Sequence, residues 1–190
     1  GISGYLAENL HRLLVGRRED TNVMGAYTMA SDIAAMPSSE LLAPLNRVLF
    51  PMFVTAKENP QELKRMYLLA LGLQAMVGVP AGVGLAMVAP ELVMAMLGEK
   101  WMMAVPFVQI MGGVNIISAL ANSGGYVLLA CGRAKVIAIQ SWSQVLLFFA
   151  MSLVLIPQGG AIELAETRMG VAGFGLITMI YLILRDQPNW

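Results

Sequence analysis

Five polar residues recur at helical spacing within an otherwise apolar stretch, and their types suit contact with a polar or charged substrate. They are Asp32, Ser39, Glu40, Asn46 and Arg47. At about 100° per residue, all five fall within an arc of about 120° on one helix. Arg47 is the best single candidate for ligand contact, because a guanidinium grips phosphate or carboxylate through two hydrogen bonds. The pattern favours a hydrophilic cavity; alternatively, Glu40 and Arg47 snorkel to an interface or pair with another helix.

Two further pairs of polar residues are candidates for the same cavity. Asn9 and Arg12 lie in an N-terminal stretch that also carries Glu8. Because Glu8 and Arg12 are four residues apart, they could instead satisfy each other as an ion pair. Asn115 and Asn122 fall on one face of a later apolar stretch, where they could line the cavity or hold helices together by hydrogen bonds.

The remaining composition offers little that could carry catalysis. The chain has one cysteine, Cys131, and one histidine, His11, which excludes a disulfide framework and a zinc site. It has no phosphate-binding glycine loop ending in Lys and Ser or Thr. Twelve basic residues balance twelve acidic ones, so there is no net field to attract nucleic acid. We therefore expect a protein that is not an enzyme, with no catalytic or metal-binding residue, no cofactor and no nucleic-acid partner.

The elements that position the polar residues must be membrane helices. Hydrophobic residues make up 57% of the chain and charged residues 13%, whereas a soluble domain is about 25% charged. A helix needs about 20 apolar residues to cross the bilayer. The sequence therefore predicts an all-α, polytopic transmembrane helix bundle of about six helices. The predicted spans are residues 1–16 (partial), 23–52, 66–90, 104–130, 136–157 and 169–184.

Local signals add the orientation of the bundle and two packing details. The segments 57–65 and 133–135, with Arg185, carry more basic residues than the loops on the other side, which predicts that they face the cytoplasm. Pro37 and Pro44 predict a kink in the span 23–52. The spacing Gly78-x-x-x-Gly82 predicts a close-packing face for another helix.

Six short segments of the sequence carry recognisable motifs: 9–17 (NLHRLLVGR), 25–27 (GAY), 46–53 (NRVLFPMF), 97–106 (LGEKWMMAVP), 129–133 (LACGR) and 170–173 (GVAG). In this order, they resemble the bacterial oligosaccharide flippases of the multidrug/oligosaccharidyl-lipid/polysaccharide exporter superfamily. The resemblance covers nearly the whole chain, with one departure at His11, where that family usually has Asp. Members of the family have two six-helix lobes, and this chain is similar to the second, so residues 1–190 are expected to form a C-terminal-lobe-like bundle whose N-terminal lobe is absent.

The resemblance implies a transporter that moves a polyprenyl-diphosphate-linked oligosaccharide across the bacterial cytoplasmic (inner) membrane, for exopolysaccharide or lipopolysaccharide biosynthesis. In that interpretation Arg47 and Arg12 meet the diphosphate, while Asp32, Glu40 and Asn46 meet sugar hydroxyls or couple to an ion. The implied partners are the lipid-linked oligosaccharide, membrane lipids, the missing N-terminal lobe and the polysaccharide polymerase or export machinery.

Two alternatives stay open on the sequence. A cation-coupled multidrug antiporter of the same superfamily would favour a net acidic cavity, which the mixed charges of the polar arc do not suggest. A non-transporting membrane scaffold for polysaccharide assembly would leave those charges without a role in transport.

Overall fold

The computed structural model of the 190-residue chain describes residues 21–155 and 160–186. The predicted partial span 1–16, with Asn9 and Arg12, lies outside these ranges. Within them, every regular element is a helix, which confirms the all-α prediction. We number the α-helices in chain order: α1 Thr21–Pro37, α2 Ala43–Ala56, α3 Pro60–Met87, α4 Ala89–Leu97, α5 Val105–Ala130, α6 Ala134–Leu155 and α7 Ala161–Asp186; a π-helical turn, Ser38–Leu42, joins α1 to α2, and a 3₁₀ helix, Glu99–Ala104, precedes α5.

Four helical segments in the described ranges are long and apolar enough to cross a membrane. They correspond to the four predicted spans from residue 66 onward, so the prediction of a polytopic membrane bundle is confirmed. The predicted span 23–52 is not among them; it is divided into α1, the π-helical turn and α2. Among the four, the largest difference concerns the last span, which begins at Ala161 instead of residue 169. The exposed acidic residues Glu163 and Glu166 belong to this helix and not to the loop before it. The four segments are Pro60–Met87, Glu99–Ala130, Ala134–Ser152 and Ala161–Arg185.

Helix ends are set by residues with recognisable capping chemistry. The side chain of Asn59 accepts hydrogen bonds from the backbone N–H groups of Gln61 and Glu62, at 3.1 and 3.3 Å, and Pro60 opens α3. At the end of α5, Gly132 adopts φ 75°, and the N–H of Arg133 donates to the carbonyl of Leu128 at 2.8 Å. This is the Schellman arrangement, and it fixes the backbone that leads from α5 into α6.

A π-helical turn, Ser38–Leu42, lies where the two prolines of the first described helical stretch predict a kink. Pro37 is the last residue of α1, and Pro44 lies in the first turn of α2. Proline in a helix interior removes a backbone hydrogen bond and clashes with the preceding turn, so the chain changes its hydrogen-bonding pattern between the two prolines. The stretch then continues past Pro51 to Ala56, slightly beyond the predicted limit of residue 52.

Buried apolar side chains form two clusters at opposite ends of the bundle. One joins Tyr27 of α1, Val93 of α4 and Phe107 of α5 to the first turns of α7. The other joins Phe53 of α2 and Leu63 of α3 to Val127 of α5 and the last turns of α7. Successive long helices therefore run antiparallel. The region between the clusters contains buried residues that are small or polar, such as Gly78, Gln74 and Ser123.

Charge is distributed unequally between the two ends of the described bundle. The end with the α2–α3 and α5–α6 connections, which we call the basic end, carries the basic residues Lys57, Lys64, Arg65, Arg133, Lys135 and Arg185 and the acidic residues Glu58, Glu62 and Asp186. Within the described ranges, the opposite end carries the basic residues Lys100 and Arg168 and the acidic residues Glu91, Glu99, Glu163 and Glu166. The positive-inside rule thus favours a cytoplasmic location for the basic end.

The predicted close-packing face at Gly78 and Gly82 is confirmed by the contact of α3 with α5. A Cβ atom added at Gly82 would lie 1.8 Å from Cδ1 of Ile116, and the nearest backbone atom would be the carbonyl oxygen of Gly112, at 3.6 Å. A Cβ at Gly78 would lie 3.5 Å from Cδ1 of Leu42. The absence of a side chain at Gly82 therefore creates the space that Ile116 occupies.

Candidate functional site

The exposed polar residues of the first helical stretch form the candidate site. Asp32 lies on α1, Ser39 and Glu40 lie in the π-helical turn, and Arg47 lies on α2; all four side chains are exposed. We call these four residues the polar face. Ser39 donates from its hydroxyl to the carbonyl of Met36 at 3.1 Å and to a carboxylate oxygen of Glu40 at 3.5 Å.

Asn46, the fifth residue of the predicted arc, is turned toward the bundle interior. Its side chain is half-buried, and its Oδ1 accepts a hydrogen bond from Nε2 of Gln74 at 2.7 Å. A π-helix has more residues per turn than an α-helix, so the turn at Ser38–Leu42 changes the angular relation between α1 and α2. The uninterrupted α-helix assumed from the sequence therefore does not describe the relation of Asn46 to Asp32.

The hydrogen bond of Asn46 belongs to a buried polar connection across three helices. Ser123 of α5 donates from its hydroxyl to Oε1 of Gln74 of α3, while Gln74 donates to Asn46 of α2. The side chain of Gln74 is only 1% exposed, and that of Ser123 is fully buried. At about 1.5 Å per residue, the three positions lie roughly 10 to 21 Å along their helices from the basic end.

Gln74 and Ser123 are site residues that the sequence interpretation did not identify. Gln74 is the one polar side chain other than Tyr67 in the uncharged stretch 66–90, and Ser123 directly follows the candidate Asn122. A lone glutamine in an apolar span is costly to bury without a partner, and this was the signal available in the sequence. The partner itself depends on how α2, α3 and α5 come together.

Asn115 and Asn122 lie on α5, and the structure separates them from this buried connection. Asn115 is half-buried and Asn122 is exposed. Neither makes a hydrogen bond to another residue of the described part of the chain. Their amides therefore remain available to a ligand or to residues beyond the described ranges.

The chemistry of the polar face is that of binding. Arg47 presents an exposed guanidinium, which can bind an anionic group through two hydrogen bonds. Glu40 and Ser39 offer oxygen atoms that accept hydrogen bonds from hydroxyl groups. Across the described ranges, no three His, Cys, Asp or Glu side chains lie close enough together to hold a metal ion.

The fold and these residues define a polytopic helical membrane protein with an exposed polar face on α1, the π-helical turn and α2. The sequence profile of the polysaccharide biosynthesis protein family matches residues 1–106, and the chain belongs to that family. This confirms the family resemblance seen in the sequence segments. No solved structure matches the chain.

Curated relatives have names that agree with this family. The chain is 33% identical over 157 residues to the teichuronic acid biosynthesis protein TuaB of Bacillus subtilis, covering 83% of this chain and 32% of TuaB. It is 28% identical over 183 residues to the lipopolysaccharide biosynthesis protein WzxC of Escherichia coli, covering 96% of this chain and 36% of WzxC. The chain thus spans about a third of the length of these relatives.

Proposed function

We propose that the protein containing this chain moves a polyprenyl-diphosphate-linked oligosaccharide across the bacterial cytoplasmic membrane, as a transporter and not as an enzyme. The observation that carries the proposal is the exposed polar face on a helical stretch within an otherwise apolar bundle. Membership of the polysaccharide biosynthesis family and the names of TuaB and WzxC support a substrate that belongs to polysaccharide synthesis. The basic end would then face the cytoplasm, where the lipid-linked substrate is assembled.

The energetics of membrane burial favour a hydrated environment for the exposed charges of the polar face. An exposed charge at the centre of a bilayer costs about 2.5–3.5 kcal/mol on insertion scales. Asp32, Glu40 and Arg47 would therefore face a hydrated cavity between this bundle and a second, N-terminal lobe of the whole protein. In that cavity Arg47, with Arg12 from the undescribed N-terminal segment, would bind the diphosphate, and Ser39 and Glu40 would meet sugar hydroxyls.

Rocking of two lobes around a substrate at membrane depth is a general mechanism for such a cavity. The π-helical turn lies between Pro37 and Pro44, at the level of the polar face. We propose that this turn lets α1 and α2 change their relative orientation during transport, while the connection through Gln74 holds α2 against α3 and α5.

The role of Arg47 is tested by replacing it in the whole protein in a strain whose cell-surface polysaccharide depends on that protein. We expect Arg47→Ala to reduce export about 10- to 100-fold, because it removes a hydrogen bond to a charged group worth about 1.5–3 kcal/mol. Arg65→Ala is the matched control, since Arg65 is an exposed arginine of the basic end outside the polar face. Equal export by wild type and Arg47→Ala, at equal protein level, would contradict the assignment of Arg47 to the diphosphate.

A further inference from the structure

A second basic site lies at the basic end of the bundle, away from the polar face. A cleft of about 280 Å³ is lined by Arg133 and Arg185 together with Leu128, Val136 and Leu182. Its walls come from the end of α5, the start of α6 and the last turns of α7. Both arginines are exposed, while Leu128 is buried and the other two apolar side chains are half-buried.

The composition of this cleft suits one kind of ligand. Two guanidinium groups provide planar forks of N–H donors, which match the oxygen atoms of a phosphate. The apolar walls suit the hydrocarbon that adjoins the phosphate in a membrane lipid. The volume lies just below the usual range of about 300–1,000 Å³ for ligand pockets, which fits a small headgroup better than a sugar chain.

The backbone on both sides of the cleft is fixed by the fold. The Schellman turn at Gly132 places Arg133 directly after α5, and the N–H of Val136 donates to the carbonyl of Arg133 at 3.0 Å as α6 begins. The start of α6 contributes the positive end of a helix dipole to the same cleft. Arg185 lies in the last turn of α7, and Ile183 of that turn is buried in the apolar cluster of the basic end.

We propose that this cleft binds the phosphate of an anionic membrane lipid in the leaflet that contacts the basic end. The assignment is independent of the transport function, since it uses none of the residues of the polar face. Basic clefts between membrane helices on the cytoplasmic side bind anionic headgroups by the same physics.

The test uses the whole protein in phosphatidylcholine nanodiscs, with phosphatidylglycerol as the probe and native mass spectrometry as the readout. We expect the Arg133→Gln/Arg185→Gln variant to bind phosphatidylglycerol about 100-fold more weakly than wild type, because it loses the charge-assisted hydrogen bonds of both guanidinium groups to the phosphate. The control Lys57→Gln/Arg65→Gln removes the same charge from the same end, outside the cleft, and should weaken binding less than threefold. An equal loss in both variants would mean general attraction to the basic end and would overturn the proposal.

Two further measurements keep the test decisive. The single variant Arg185→Gln changes an exposed side chain and should weaken phosphatidylglycerol binding about tenfold, because one charge-assisted donor to the phosphate is lost. Unchanged affinity would overturn the proposal even if the double variant failed to fold. Inorganic phosphate distinguishes a lipid headgroup from a free anion. We expect it to compete only weakly with phosphatidylglycerol, because it lacks the hydrocarbon that the apolar walls contact. Equal affinities for the two would overturn the assignment to a lipid.

Discussion

Gln74 shows how a single polar side chain can be accommodated in an apolar bundle. Its amide oxygen accepts from Ser123 and its amide nitrogen donates to Asn46, so its oxygen and nitrogen each have a partner. Hydrogen bonds between membrane helices average about 0.6 kcal/mol and reach about 1.7 kcal/mol. The free energy that two such bonds contribute is therefore only about that of a small apolar contact. Unlike an apolar contact, however, they join specific positions on three helices. The connection holds Asn46 of α2, and with it the neighbouring Arg47, in a fixed relation to α3 and α5.

Replacing Gln74 tests this connection directly. We expect Gln74→Leu to lower the free energy of unfolding in mixed micelles by about 1–2 kcal/mol, because it removes both hydrogen bonds and leaves Asn46 and Ser123 without them. Ser123→Ala should cost about 0.6 kcal/mol alone and almost nothing in the Gln74→Leu background.

The matched control for that cycle is Ser143→Ala. Ser143 lies on α6 and donates to the carbonyl of Gln140 on its own helix at 2.7 Å. Its effect should add to that of Gln74→Leu within about 0.3–0.5 kcal/mol. Full additivity of Gln74→Leu with Ser123→Ala would show that the two side chains do not act together.

At the scale of helices, the long apolar stretches could be predicted because the information is local. Runs of uncharged residues in the sequence predicted the positions of α3, α5, α6 and most of α7. The separate helix α4 was not predicted. Its boundaries, at Val88 and Gly98, depend on backbone geometry and not on a change in hydropathy. The first turns of α7 were missed because their acidic residues resemble a loop in sequence.

The contact of α3 with α5 provides a test at the same scale. Gly82→Leu should lower the free energy of unfolding by about 1–3 kcal/mol, because the new side chain must displace Ile116 at the helix crossing. Gly72→Leu is the control on the same helix, since a Cβ added there meets no atom within 4 Å. Equal stability of the two variants, measured by the same unfolding assay, would show that α3 and α5 do not pack closely at Gly82.

At the scale of the whole molecule, the antiparallel order of the helices places most of the described basic residues at one end. The sequence count of loop charges already favoured this orientation, and the structure shows that the segments concerned lie together. What the sequence could not provide is the relation between the polar face and its surroundings, because that depends on the π-helical turn and on the packing of α2 against α3. Arg47 is exposed in the structure, and its contact with a ligand stays a prediction. The inward position of Asn46 and its partners was not predicted.

The orientation of the bundle can be measured by cysteine accessibility in the whole protein, in a background where Cys131 and any other cysteines are replaced. A membrane-impermeant maleimide added to intact spheroplasts should label Glu99→Cys, at the end opposite the basic end. Lys57→Cys should be labelled only after the cells are opened. Both original residues are exposed, so the difference reports the side of the membrane. The reverse pattern would contradict a cytoplasmic basic end.

The measurement that tests the central claim most directly is lipid translocation by the whole protein in proteoliposomes. The substrate is a fluorescent polyprenyl-diphosphate oligosaccharide, and the readout is the fraction protected from a membrane-impermeant quencher. The account predicts that wild type and Arg65→Ala move the lipid between leaflets and that Arg47→Ala does so about 10- to 100-fold more slowly. Absence of translocation by correctly folded wild type, or transport of an amphipathic cation in place of the lipid-linked sugar, would contradict it.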